Sequence, residues 1–467
     1  MKAQVLPSVD IVSVFNQQKA YQYTQRITTA RERIDQLRKL QKGLGTIQYE
    51  LIEAMSKDLE RPVFETVVFE HLGLIKIIDE TCENLEKWME PEIKPSSIKS
   101  DANIEIRYES RGVVLIIGPW NFPFLLVLEP LVAAIAAGNT VIAKPSEMTP
   151  NVSKVVKNLI SSVFEPKFVA VIEGGIPETT ELLALPFDHI FFTGSPTIGK
   201  IVMAAAAKNL TSVTLELGGK NPFIVDAGAN LEKAAQTLIH KTTINAGQLC
   251  LSPDYGLIHH SQVTQFVALA RKAIKKMYYS EGKYAEQDSS KIINQKNYDR
   301  LKSLFGDAVE KGATIVAGGI FDDQKLRIEP TLLTKVAPNS KILEEEIFGP
   351  IFPILTYDTI WEAIEYVNSK PKPLALYLFS DIEENTENVI KMTSSGGVCI
   401  NEAFVHALDY RLPFGGVNNS GVGSYHGKFG FMELSHAKSI FYDQSKEADT
   451  MMAPPFEGKL EQLTNAQ

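Results

Sequence analysis

The chain has 467 residues, 44% of them hydrophobic and 22% charged, enough for about two to three globular domains and too apolar for large-scale disorder. Its formal net charge of -9 gives no attraction to nucleic acid or to an anionic membrane. Cys82, Cys250 and Cys399 are odd in number and far apart, which supports neither a disulfide framework nor a zinc knuckle and fits a reducing compartment; with no apolar leader and no bilayer-length run, a cytoplasmic protein without a membrane anchor is expected.

The first hundred residues read as helical. Apolar residues recur at helical spacing through Ile27–Met55 and Val67–Trp88, and the basic stretch Arg31–Arg38 reads as a solvated helix face. A Pro- and Ser-rich break follows at Pro91–Ser100. Beyond Ile104, short apolar runs alternate with helical segments. Val113–Ile117, Val141–Ala143, Phe168–Ile172, His189–Phe192, Ser212–Glu216 and Phe223–Val225 predict buried strands, and Asn151–Val163 and Thr197–Lys208 predict helices. That alternation implies parallel βαβ units in a doubly wound α/β sheet, with ligands bound beyond the carboxyl ends of the strands. A second α/β stretch runs from Gly218 to Ala403, with strands predicted at Tyr255–His259, Thr314–Ala317, Ile351–Tyr357 and Leu374–Phe379. The last segment, Leu412–Phe441, opens on a glycine-rich loop. It closes on a β-like run that is expected to pair elsewhere, a subunit boundary being one place for it.

Several residues just past these runs have chemical potential. Cys250 follows Gly247-Gln248-Leu249, outside either periodic pattern and ahead of Pro253; it is a nucleophile or a small hydrophobe, and no neighbour in sequence lowers its pKa. Glu216 ends an apolar strand before Gly218-Gly219-Lys220. It is a base reached by another group across the glycine pair, or a strand-end glutamate paired with Lys220. In Gly118-Pro119-Trp120-Asn121-Phe122-Pro123-Phe124 two prolines remove N–H donors. The Asn121 amide there is an oxyanion donor or part of a structural turn. No G-x-G-x-x-G fingerprint joins a strand to a helix. In its place Thr193-Gly194-Ser195-Pro196-Thr197-Ile198-Gly199 offers free N–H groups at a helix start, suited to a phosphate. Lys144 and Glu147 follow another strand and either bind ribose hydroxyls or sit on the solvated rim, with Thr149 or Asn151 capping the next helix.

Taken together and in order, Gly118–Phe124, Lys144–Glu147, Gly194–Gly199, Glu216–Lys220, Gln248–Cys250, Glu346–Pro350 and Pro413–Gly416 resemble the aldehyde dehydrogenase superfamily over nearly the whole chain. Ser252–Tyr255, Pro373–Phe379 and Leu412–His436 are most similar to its class 3 branch of fatty, aromatic and coniferyl-type enzymes. The resemblance implies a Rossmann-like cofactor domain (residues 1–95 and 109–217), a second α/β catalytic domain (218–403) and a small β oligomerisation segment (96–108 and 412–445) in a homodimer. It assigns Cys250 as nucleophile, Glu216 as the glutamate that activates water, and Asn121 as the oxyanion amide. Lys144 and Glu147 match the adenosine-ribose contacts of NAD (with NADP possible), and Gly194, Ser195 and Gly199 match the pyrophosphate turn. Glu346 and Phe348 match the nicotinamide-ribose contact and its packing neighbour. The implied reaction oxidises a small-molecule aldehyde to an acid through a cysteine thiohemiacetal and thioester. Asn418 stands where class 3 members often carry glycine, a position asparagine tolerates in a left-handed turn.

Overall fold

The computed structural model describes residues 10–446, 448, 450 and 452–461. A six-stranded sheet has the order Gly421–Val422, Ser212–Leu217, His189–Gly194, Val113–Ile117, Thr140–Lys144, Val169–Val171, parallel except for its two-residue edge strand. Alternating side chains of one strand go to opposite faces. Val114 and Ile116 join the core under the helices Ala30–Leu59, Gly73–Trp88, Leu125–Ala136 and Pro150–Val163, whereas Val113, Leu115 and Ile117 join the core shared with Ile11–Arg26 and Pro196–Ala207. Helices on both faces make the sheet doubly wound. Its strand order reverses at the boundary between Val113–Ile117 and His189–Gly194, where α/β sheets bind ligands.

The second sheet has seven strands in the order Thr314–Ala317, Thr331–Thr334, Ile351–Tyr357, Pro253–His259, Asn221–Val225, Ala375–Phe379, Gly397–Ile400. The predicted strand Phe223–Val225 therefore belongs to this sheet, between Pro253–His259 and Ala375–Phe379. The chain leaves the first sheet at Leu217 and enters the second at Asn221, so Glu216 stands at the junction of the two.

Three local features, at Thr29, Arg33 and Asp58, differ from the expectations above. The long apolar period through Ile27 breaks at Thr29, whose capping box with Glu32 starts the helix Ala30–Leu59. Arg33, inside the basic stretch, is buried and donates to the Ala136 carbonyl at 2.9 Å. Neither Thr149 nor Asn151 caps the helix Pro150–Val163 through its side chain; the Asp58 carboxylate does, accepting from the Val152 N–H at 2.9 Å. The terminal strand Ser435–Asp443 pairs with Ala102–Ser110 of the same chain over nine positions, as the outer strand of a three-stranded sheet that also holds Glu92–Pro95. Among the described residues no helix is long and apolar enough to cross a membrane.

Candidate active site

Cys250 is placed by a backbone that few residues tolerate. After the helix Leu231–Thr243, Asn245 and Ala246 take left-handed conformations, with φ of 49° and 54°. Gly247 follows at φ 72°, where an added Cβ would lie 2.5 Å from the Gly349 carbonyl carbon. The next segment is pinned through its carbonyls. Asn221 Nδ2 donates to the carbonyls of Cys250 at 2.7 Å and Ser252 at 3.0 Å, and the Tyr377 hydroxyl donates to that of Leu251 at 2.6 Å. Cys250 itself is partly buried. Its thiol is pushed up to about 12 by burial, then by Glu346 and Glu216; the N–H groups of Cys250 and Leu251 pull the other way.

Asn121 reaches the same turn. Its Nδ2 donates to the Gln248 carbonyl at 3.2 Å, two residues before the thiol. The amide carries a second N–H, and the backbone N–H groups of Cys250 and Leu251 lie beside the sulfur.

Glu216 is buried, and among the described residues neither of its carboxylate oxygens has a hydrogen-bond partner. Burial first, then Glu129 and Glu433, hold its carboxyl well above the usual range. Lys220 is not its partner: it pairs with Asp254 and donates to the carbonyls of Ile342 and Glu345, each at 2.9 Å. The glycine pair instead admits Glu346, whose carboxylate accepts from the Gly219 N–H at 3.1 Å, and a Cβ on Gly218 would come within 2.3 Å of it. Burial and Asp254 push Glu346 up to about 8. Phe348, at φ 51°, sets its ring 5.4 Å from that of Trp120.

The remaining sequence candidates lie at the carboxyl ends of the first sheet. Lys144 ends Thr140–Lys144, is buried, and bonds Glu147 Oε2 at 3.0 Å, leaving Glu147 half exposed. Gly194 ends its strand, and Ser195 caps the helix Pro196–Ala207 by accepting from the Ile198 N–H. Gly199 allows that helix onto Leu217, where a Cβ would approach to 2.8 Å. Gly194 has no room for a side chain either, because a Cβ would stand 2.5 Å from the Phe192 ring. These residues fit a dinucleotide. A helix start offers unpaired N–H groups to a pyrophosphate, glycines keep the backbone accessible, and Thr193 Oγ1 beside them is buried without a partner among the described residues.

Several structural partners escaped sequence reasoning. Arg61, Glu70 and Asn245 hold the Asn121 and Cys250 loops together. Glu129 lies on the apolar helix Leu125–Ala136 and faces His426. A lone carboxylate inside the greasy run Phe124–Gly138 was the available signal for Glu129; Arg61 gave none, because besides the nearby Glu70 its partners come from two distant segments.

Residues 3–440 match the aldehyde dehydrogenase family. A 4,4'-diaponeurosporen-aldehyde dehydrogenase of Staphylococcus aureus is 42% identical over 96% of this chain and 97% of its own length. A dimeric, NADP-preferring aldehyde dehydrogenase of Rattus norvegicus is 40% identical over 92% of this chain and 94% of its own. A substrate-bound structure of Staphylococcus aureus AldH superposes with a TM-score of 0.93 at 42% identity, covering 98% of this chain and 99% of that one.

Proposed function

The chain belongs to the aldehyde dehydrogenase family, and from that premise we propose that it oxidises an apolar aldehyde to the carboxylic acid with Cys250 as nucleophile, Asn121 as oxyanion donor and Glu216 as base. The observation that carries this reading is the convergence of the Asn121 amide, the Cys250 turn and a buried Glu216 carboxylate, unpartnered among the described residues, at the junction of the two sheets.

The Cys250 thiol releases its proton to solvent, its sulfur gives the freed electron pair to the aldehyde carbon, and the carbonyl π pair moves to oxygen. The Asn121 amide and the Cys250 N–H hold that oxyanion. The thiohemiacetal carbon gives up a hydride and leaves a thioester on Cys250; an oxidised nicotinamide dinucleotide, held by the residues named below, would supply the hydride acceptor. Glu216 then takes a proton from water as the water oxygen attacks the thioester carbon, and the thiolate departs from the acid. The environment of Glu216 suits proton abstraction, because a carboxyl held above the usual range is a stronger base once ionised than a solvated glutamate.

Lys144 and Glu147 would hold the adenosine ribose, and Gly194, Ser195 and Gly199 the pyrophosphate. Glu346 would meet the nicotinamide ribose, with Phe348 packed beside it. The exposed Glu147 carboxylate disfavours a 2′-phosphate by like charge, while the buried Lys144 cation moderates that repulsion, so NAD is preferred and NADP accepted. The resemblance of Ser252–Tyr255, Pro373–Phe379 and Leu412–His436 to the class 3 branch supports a fatty or aromatic aldehyde. The outer strand Ser435–Asp443 is mostly exposed and supports a homodimer built through that edge, with residues 96–108 and 412–445 as the oligomerisation segment. Residues 1–95 with 109–217 then form the cofactor domain, and 218–403 the catalytic one. The test is an aldehyde panel read by reduced-nicotinamide absorbance with each cofactor. Turnover of aliphatic and aromatic aldehydes, lost in Cys250→Ala, is expected; equal turnover in that variant would refute the assignment.

A further inference from the structure

We propose that Arg61 is a positioning residue for this reaction, fixing the backbone of Asn121 and thereby the direction of its side-chain amide. The inference rests on the oxyanion role given to Asn121 above. Arg61 stands alone between two helices: Glu60, at φ 49°, closes Ala30–Leu59, and Pro62 precedes Val63–Glu65. Its side chain is fully buried, as is that of its partner Glu70. A buried guanidinium is costly to desolvate, and all its directions here have partners. Nη1 donates to Glu70, Nη2 to the Asn121 carbonyl, and Nε to Asn245 Oδ1 at 3.2 Å, with the guanidinium 4.5 Å over the Phe122 ring.

The pair grips the Asn121 loop at both ends. Arg61 holds the Asn121 carbonyl, while Glu70 accepts from the N–H groups of Phe124 at 3.2 Å and Leu125 at 2.7 Å. Glu70 comes from Thr66–Leu72, a π-helical stretch of the kind that recurs at functional sites. Asn245 closes the circuit: its Nδ2 donates to the carbonyls of Asn121 at 3.1 Å and Gln248 at 3.2 Å. One guanidinium thus couples the loop of the oxyanion amide to the turn of the nucleophile. Only a planar fork serves three acceptors in fixed directions; an ammonium is a point donor on a flexible stem.

The test is a cycle of Arg61→Lys and Asn121→Ala, read both by aldehyde turnover and by acylation with p-nitrophenyl acetate, which needs no cofactor. Arg61→Lys keeps a charge opposite Glu70 and loses the fork. We expect it to slow acylation roughly 10- to 100-fold, the scale of a misplaced catalytic group, with KM for the aldehyde little changed. In the Asn121→Ala background the same change should cost nothing further, because the amide it orients is gone. Equal losses in both backgrounds, or no loss in either, would overturn the positioning role. Normal acylation by Asn121→Ala alone would instead sink the oxyanion reading, and this inference with it. Should Arg61→Lys fail to fold, Glu70→Gln carries the same cycle, with the same non-additive loss expected and an additive one contradicting the proposal.

Discussion

His426 Nε2 lies 3.1 Å from Glu129 Oε1, and both side chains are 5% exposed. Burial pushes Glu129 up to about 8 and pulls His426 down to about 3, so near neutral pH the pair is uncharged. Between the ordinary values of 4.5 and 6.5, the unfolded chain has lost the glutamate proton and gained a histidine proton, and the two differences from the folded state cancel. Above 6.5 only the glutamate difference remains. The unfolded chain then binds fewer protons, and stability falls until the pH passes about 8, at most by about 1.4 kcal/mol per pH unit. Below 4.5 the histidine alone differs, and stability falls toward about 3. Glu129→Gln should therefore flatten the urea-midpoint profile above pH 6.5 relative to the parent; parallel profiles there would contradict this account.

The raised thiol of Cys250 makes its own prediction. Inactivation by iodoacetamide should keep accelerating with alkaline pH and reach no plateau near neutrality, since the thiol is pushed up to about 12. Glu346 contributes to that rise and is itself pushed up to about 8, so its charge acts only above that pH. Glu346→Gln removes a negative neighbour, lowers the thiol pKa and should speed alkylation at pH 9 but not at pH 7, each unit being worth about tenfold in thiolate. Identical rates at pH 9 would count against this coupling.

Gly218→Ala tests the seat of Glu346. A Cβ there would come 2.3 Å from the carboxylate, which would have to leave the Gly219 N–H. Loss of that bond costs about 1 kcal/mol of stability. The larger effect should fall on cofactor affinity, read as a weaker Kd for reduced nicotinamide dinucleotide in a fluorescence titration. An unchanged Kd would argue that Glu346 does not meet the ribose.

Asp58→Ala should lower unfolding free energy by about 1–2 kcal/mol, because the helix Pro150–Val163 loses the acceptor for its first N–H groups. Aldehyde turnover measured well below the melting temperature should stay near the parent value, and a stability within error of the parent would show that water replaces the cap.

The α/β class was legible in the sequence because buried parallel strands such as Val113–Ile117 are continuous apolar runs and their ends coincide with Gly118, Lys144 and Gly194. The resemblance ordered the candidate residues, and folding does bring Asn121 to the Cys250 turn and Glu346 to the glycine pair. Spatial partners were not legible. Lys220 bonds Asp254, far along the chain, in place of the nearer Glu216. Asp58 caps a helix more than ninety residues away, since a cap needs only an oxygen in position. The left-handed Ala246 could not be foreseen, because no propensity selects alanine there; it is held by its surroundings, including Gly247 packed on Gly349. Asn418 at φ 56°, by contrast, was readable, because asparagine accepts that conformation.

The assignment of nucleophile and base meets its most direct test in the fate of the acyl group. Glu216→Gln incubated with an aldehyde and oxidised cofactor should stall after acylation, and intact-mass and peptide mapping should find the acyl adduct on the peptide bearing Cys250. An adduct on any other residue, or steady turnover by Glu216→Gln with no adduct at all, would contradict it.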